Sequence, residues 1–233
     1  MSLMNNINWK QAIEQTWTVR LPKQKLSTFG LTNVEYFVVS EPIYHEFETT
    51  RQEGVIRTGR VVAEKPKIVT PTYALNLEGF SNDAYEYFQH MSNQEGPNST
   101  GILYQYQNHA SKVEIVGGSV SDIANRISKD LEAKNEDMSV VLVGVDALWD
   151  VALMKFIYEF TSASYASNLN DFKNKGLLEP QQQYGGVPRM ATEQIERLFE
   201  EVHKGADVEI LKRELDRWGL FSHYENQFLD LFE

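Results

Sequence analysis

Residues 112 to 160 constrain the fold of this 233-residue chain more than any other stretch. The segments, in order, are a short apolar run (Lys112–Val116), a turn (Gly117-Gly118-Ser119), an amphipathic segment (Ser121–Lys134), a second apolar run (Val140–Val145) and a long apolar segment from Ala147. This order is typical of two parallel strands joined by a crossover helix and followed by a second helix. The sequence therefore predicts a βαβα unit in which the strands at 112 and 140 are neighbours.

An antiparallel β-meander is predicted upstream of this unit. Residues 34–69 are rich in β-branched and aromatic residues, which fall into short runs. Glu53-Gly54 has the composition of a two-residue hairpin turn, and such a turn would bring Glu48 within reach of Arg57. The fold class expected is α/β or α+β, and the meander and the parallel strands can form one mixed sheet.

Two stretches rich in Asn, Gln, Gly and Pro, residues 92–101 and 180–188, mark breaks in the chain. They predict three parts: a β-meander with short helices over 4–92, the βαβα unit over 102–179, and a C-terminal appendage of three helices over 190–233. The first two parts can belong to one domain.

Composition limits the function. The formal charge of −11 opposes binding to nucleic acid or to an anionic membrane. The chain has no cysteine, which excludes disulfides and thiolate chemistry, and the apolar segment Ala147–Phe160 is interrupted by three charges. We expect a soluble, acidic, cytoplasmic protein that does not enter a membrane.

Gly117, Gly118 and Ser119 are the best candidates for a ligand site. Glycines between a strand and a helix let an anion approach the backbone N–H groups of the helix N-terminus. The alternative is structural: the glycines make a tight turn, and Ser119 caps the helix together with Asp122. The motif favours the structural interpretation, because a dinucleotide fingerprint needs a third glycine where this sequence has Ile123.

Asp146 and Asp150 are predicted to lie beyond the second strand, one helical turn apart. If the two strands are neighbours, both carboxylates face Ser119 across the crevice where open parallel sheets bind ligands, and they could act on an anionic ligand or place a cation there. The alternative is that both residues stabilise the N-terminus of the following helix.

Neither a metal site nor a cofactor is predicted. His45 points away from Glu46 and Glu48 if this segment is a strand, and the other four histidines have no partner at helical spacing. The arginines between residues 51 and 60 alternate with glutamates, which disfavours nucleic-acid binding because the charges cancel.

The C-terminal segment carries an excess of aromatic side chains, and those expected at an interface are Trp218, Phe221, Tyr224 and Phe228. Three short helices have little room to bury them among themselves, so they are expected to pack on the body of the chain or on a partner. The small residues at 161–167 indicate close helix packing, either inside the chain or between subunits.

The sequence leaves open whether this protein is an enzyme. The favoured hypothesis is a non-catalytic protein-interaction or self-assembly module whose partner is another protein or a second copy. The alternative is an enzyme or sensor that binds a phosphate- or carboxylate-bearing small ligand at Gly117-Gly118-Ser119.

Overall fold

A computed structural model describes residues 9–43, 52–71, 73, 86, 89–90, 93–94, 96 and 99–232. Its strands are β1 Trp17–Arg20, β2 Thr32–Ser40, β3 Glu53–Ala63, β4 Lys67–Val69, β5 Gly101–Leu103, β6 Tyr106–Gly117, β7 Ser139–Val143, β8 Pro180–Gln181 and β9 Val187–Pro188. Its helices are α1 Trp9–Glu14, α2 Val120–Ala133, α3 Trp149–Asn174, α4 Arg189–His203, α5 Val208–Trp218 and α6 Phe221–Leu229, with 3₁₀ turns at Asp146–Leu148, Gln182–Tyr184 and Asp230–Phe232.

The fold class is confirmed as mixed α/β. The principal sheet has five strands in the order β1-β7-β2-β3-β6. β2 and β7 pair in parallel, whereas the β1–β7, β2–β3 and β3–β6 pairs are antiparallel. β2 and β3 of the predicted meander pair antiparallel and share one mixed sheet with β6 and β7, whereas β4, the last strand expected in the meander, pairs with β5 in a separate two-stranded sheet.

The predicted pairing of the strands at 112 and 140 is wrong. β6 and β7 run in the same direction, as expected, but β2 and β3 lie between them. A central strand must be apolar on both faces, and β2 fits that position because Tyr36, Val38 and Val39 are all buried. β6 is exposed from Gln107 to Ile115, which suits an edge position.

The hairpin turn predicted at Glu53-Gly54 is also wrong. Both residues belong to β3, where Glu53 pairs with Gly117 and Gly54 with Val116. Residues 44–51 lie outside the described part of the chain, and with them Glu48 and the segment His45–Glu46. The short helices predicted between 70 and 91 also fall largely outside it.

A helix covers each face of the five-stranded sheet. Val38 and Leu142 pack with Phe156 of α3, whereas their neighbours Val39 and Val141 pack with Ile123 of α2. This alternation follows from the two-residue period of a strand, which sends successive side chains to opposite faces.

α3 is longer than an average helix and continues through the small-residue run without a break. The hydroxyls of Ser162 and Ser164 donate to the carbonyls of Tyr158 and Phe160 one turn earlier. Ser164 also accepts the backbone N–H of Leu26 at 3.1 Å, and it is fully buried. At Ser164 the run therefore forms a packing seam inside the chain.

The chain divides into two compact units, formed by the described residues of Met1–Lys65 with Tyr104–Asn168 and of Pro66–Leu103 with Leu169–Glu233. The first unit contains the five-stranded sheet. The predicted division at 4–92, 102–179 and 190–233 concerns folding domains and stays a prediction. The compact units differ from it because residues 66–103 group with the C-terminal helices.

The second unit has its own apolar core, formed by α4, α5 and α6 with Tyr73 and Val187. Gly219 ends α5 in the left-handed conformation at φ 65°, which glycine adopts without a steric cost, and this allows α6 to begin at Phe221. Among the described residues, no helix has both the length and the apolar character that crossing a membrane requires.

Candidate functional site

The turn at Gly117-Gly118-Ser119 is occupied by contacts within the chain. The Gly118 N–H donates to the Gln52 carbonyl at 2.8 Å. Ser119 is the N-cap of α2: its hydroxyl accepts the Asp122 N–H at 3.1 Å and donates to the Asp122 carboxylate at 2.7 Å. Asp122 therefore places a negative charge at the helix N-terminus, where an anionic ligand would have to bind.

Asp146, in the 3₁₀ turn that follows β7, forms polar contacts with a residue of β2 and a residue of β3. Its Oδ1 atom forms an ion pair with the guanidinium of Arg57 and accepts the hydroxyl of Ser40 at 2.8 Å. The Asp146 side chain is 9% exposed and that of Arg57 19%, so this pair is largely removed from water. Asp146 is thus a counter-ion of Arg57, whereas Glu48, the predicted partner of Arg57, lies outside the described residues.

The aromatic ring of Trp149 lies over the same pair. The guanidinium of Arg57 is 6.0 Å from the Trp149 ring centroid, and Tyr36 stacks on that ring at 6.1 Å. The polar cluster thus ties the carboxyl ends of β2 and β7 to the first turn of α3. The cluster has a structural role, because its two charges neutralise each other within the chain.

The structure does not bring Ser119 and Asp146 together. They follow the carboxyl ends of β6 and β7. These two strand ends point the same way but are separated by three strand spacings across the sheet. At about 4.8 Å per spacing this is about 14 Å, too far for both to touch one small anion.

Asp150 lies in the first turn of α3 and is exposed. It borders an open groove of about 540 Å³ between α1 and α3, whose other walls include Trp9, Met154 and Tyr158. Lys155 also lines this groove, and its ammonium donates to the Thr16 carbonyl at 3.0 Å, two residues beyond the C-terminus of α1. Asp150 and Asp146 therefore have different surroundings.

The four aromatic residues predicted for an interface lie in the core of the second unit. Trp218, Tyr224 and Phe228 are each less than one-tenth exposed, and Phe221 is half-buried against Phe228. Burial raises the pKa of the Tyr224 phenol. Their role in an interface stays a prediction, and in this structure they pack against other residues of the second unit.

The outer edge of β6 is the clearest candidate for an exposed binding surface, and the sequence analysis did not identify it. β6 is twelve residues long and pairs with β3 on one side, while no described strand pairs with its other side. Val113 is 61% exposed and Ile115 is 55% exposed. Both lie on the face of the sheet that α3 covers at β2 and β7. The sequence feature that indicates an edge position is the presence of polar residues on both faces from Gln107 to Glu114, a pattern that a central strand does not tolerate.

A bulge shapes this strand. Lys112 is opposite Thr58 and Ala110 is opposite Gly59, which leaves Ser111 without a partner in β3. Lys112 and Glu114 project from the other face of the strand, and the Lys112 ammonium lies 2.9 Å from a Glu114 carboxylate oxygen. The regular part of the edge therefore runs from Lys112 to Gly117.

No family model matches this chain, and neither a curated protein nor a solved structure matches it significantly. Within the described residues, no group of three or more His, Asp or Glu side chains is arranged to hold a metal ion.

Proposed function

We propose that this chain is a non-catalytic protein-interaction module that binds a partner by adding a strand to the outer edge of β6. The observation that carries the proposal is a twelve-residue edge strand, exposed on both faces from Gln107 to Ile115, whose outer side pairs with no described strand. Strand addition supplies affinity through main-chain hydrogen bonds and specificity through alternate side chains.

The two edges of the sheet differ in a way that supports this assignment. Proteins protect sheet edges by keeping them short or by covering them. β1, at the opposite edge, has four residues and ends in Arg20, whose side chain is buried. β6 is three times as long and presents Val113 and Ile115 to solvent. An edge of this length that exposes two β-branched side chains is suited to pairing.

The alternative, an enzyme or sensor with an anion site at Gly117-Gly118-Ser119, has less support. The Ser119 hydroxyl and the Gly118 N–H have partners within the chain, and Asp122 repels an anion there. Asp146 is neutralised by Arg57 and lies too far from Ser119 for a shared ligand.

The test uses a fluorescein-labelled peptide with the sequence of residues 106–117 as a probe strand, and a peptide with the same residues in scrambled order as its control. Fluorescence anisotropy should show that the full chain binds the first peptide and not the second. The double variant Val113→Lys/Ile115→Lys should lose binding, because edge lysines oppose strand pairing.

A matched variant, Met154→Lys/Tyr158→Lys, adds the same charges at two exposed apolar residues of α3. It should bind the probe as the wild type does. Strand addition at β6 is rejected if no protein binds the probe, or if the β6 variant binds as tightly as the α3 variant.

A further inference from the structure

We infer that the partner of β6 is a second copy of this chain, paired antiparallel about a two-fold axis that passes midway between the two Val113 residues. This inference rests on the proposed strand addition and names its partner. It joins two five-stranded sheets into one continuous sheet of ten strands, with the same surface used by both copies.

Geometry restricts the possible registers. When the two-fold axis is perpendicular to the sheet, the same sheet face points the same way in both copies. Residues directly opposite each other in an antiparallel pair lie on the same face. Since side chains alternate along a strand, a symmetric register must then be centred on a residue and not between two residues. In the regular part of the edge, the centres that leave at least two residues of β6 on their C-terminal side are Lys112, Val113, Glu114 and Ile115.

Charge selects among these centres. A register centred on Lys112 or on Glu114 places like charges opposite each other, which is destabilising. Centring on Ile115 places the Glu114 carboxylate opposite the apolar side chain of Val116. Only the register centred on Val113 pairs Lys112 with Glu114 of the second copy, and does so twice by symmetry.

The side chains of the strand suit this arrangement. Val113, which is 61% exposed in one copy, would be opposite its equivalent on the axis and lose that exposure. Lys112 and Glu114 are 60% and 48% exposed, and they already lie 2.9 Å apart. In the pair they would form a ring of four alternating charges on the face opposite to the valines.

The experiment measures self-association of the full chain by sedimentation velocity over a concentration series, at physiological ionic strength so that the net charge of −11 is screened. Wild type should show a monomer–dimer equilibrium. Lys112→Glu and Glu114→Lys each create two like-charge contacts, and each should weaken the dimer by about tenfold. The double variant, Lys112→Glu/Glu114→Lys, restores opposite charges and should recover the wild-type dimer.

Mixing the two single variants is the sharpest part of the test. One then presents two glutamates and the other two lysines, so a mixed dimer should form although neither variant associates well alone. Lys212→Glu and Asp216→Lys make the same changes of net charge at an exposed pair on α5, and they should leave association unchanged.

Each outcome has a distinct meaning. A wild-type chain that remains monomeric while it binds the probe peptide rejects the second copy as partner and leaves strand addition intact. A dimer that responds to Val113→Lys/Ile115→Lys but not to the charge exchanges rejects the register at Val113. A dimer that responds to none of these variants places self-association elsewhere and overturns the inference.

Discussion

Gly59 in β3 lies directly beneath the phenol ring of Tyr36, its partner residue in β2. Tyr36 is 1% exposed, and its hydroxyl donates to the Asn108 side chain at 3.1 Å. A Cβ atom at position 59 would lie 2.6 Å from the His109 carbonyl oxygen and closer still to the tyrosine ring. The absence of a side chain at Gly59 is thus what allows Tyr36 to lie flat across the sheet.

We predict that Gly59→Ala destabilises the first unit by about 1–3 kcal/mol, because the alanine overpacks the site and displaces the ring. Urea unfolding followed by circular dichroism measures this loss. Gly117→Ala is the matched control, since a Cβ there meets no atom within 4 Å and should change stability by less than about 0.5 kcal/mol. Equal stability of the two variants would show that Tyr36 adapts to the alanine.

A second prediction concerns the ion pair of Arg57 and Asp146. Asp146→Asn leaves the guanidinium without its counter-ion, and Arg57→Met leaves the carboxylate alone. Each should cost about 2–4 kcal/mol in unfolding free energy, because both side chains are largely buried. The double variant should cost less than the sum of the single changes, and a double-mutant cycle in urea measures the difference. Strict additivity would mean that the two residues do not interact in solution.

Acid stability should depend on Glu132, a residue of α2. Hydrogen bonds from Arg20 and Lys23 lower the pKa of its carboxyl below the ordinary 4.5. Because the folded-state pKa is the lower one, the stabilisation is fully present above pH 4.5 and is lost as the pH falls through the folded value.

Glu132→Gln should therefore lower the thermal midpoint at neutral pH, and its midpoint should converge on that of wild type as the solution is acidified. Differential scanning calorimetry across this range tests the prediction. Glu225→Gln, at an exposed residue of α6, is the control, and its midpoint should follow that of wild type throughout. A constant gap between the Glu132→Gln and wild-type midpoints at every pH would contradict the assignment.

Tyr104 should titrate late in alkali. Burial raises the pKa of its phenol to about 12, and its hydroxyl donates to Asn168 at 2.7 Å. The folded-state pKa lies above the ordinary 10.0, so the neutral phenol stabilises the fold below pH 10 and this contribution is lost as the pH rises through about 12.

Ultraviolet difference titration should show one fewer late-ionising phenol in Tyr104→Phe than in wild type. Tyr158→Phe, which removes a hydroxyl from a side chain that is 74% exposed, is the matched control that also lacks one phenol. If Tyr104→Phe removes absorbance from the early phase instead, the Tyr104 hydroxyl is accessible to solvent in the folded protein.

Local features of this fold could be predicted from the sequence because neighbouring residues determine them. Ser119 and Asp122 are three positions apart, and their capping contacts need only the chain between them. The same holds for the apolar stripe that gives α2 its buried face and for the buried run of β7. The mixed α/β class follows from the order of such segments.

The strand order and the candidate binding surface could not be predicted from the sequence pattern, because both depend on contacts between residues far apart in the chain. Arg57 meets Asp146 across 89 positions of the chain, and no periodicity links them. The position of β2 and β3 between β6 and β7 also depends on contacts between distant segments. β2 suits the central place beside β7 better than β6 does, because β2 is apolar on both faces. The exposed edge of β6 is the consequence of that strand order.

The interleaving of the two compact units along the chain sets an order for their completion during synthesis. The first unit has all its residues once position 168 has left the ribosome, whereas Tyr73 of the second unit must wait for Glu214, which accepts its hydroxyl 141 residues later. At translation rates of about 5 to 20 residues per second, this wait is roughly 7 to 28 s. Tyr73 packs in a core whose other buried members lie between Val187 and Phe228, and Ile68 packs with Phe172, Leu177 and Met190, so neither side chain can be buried there before those later residues have been made.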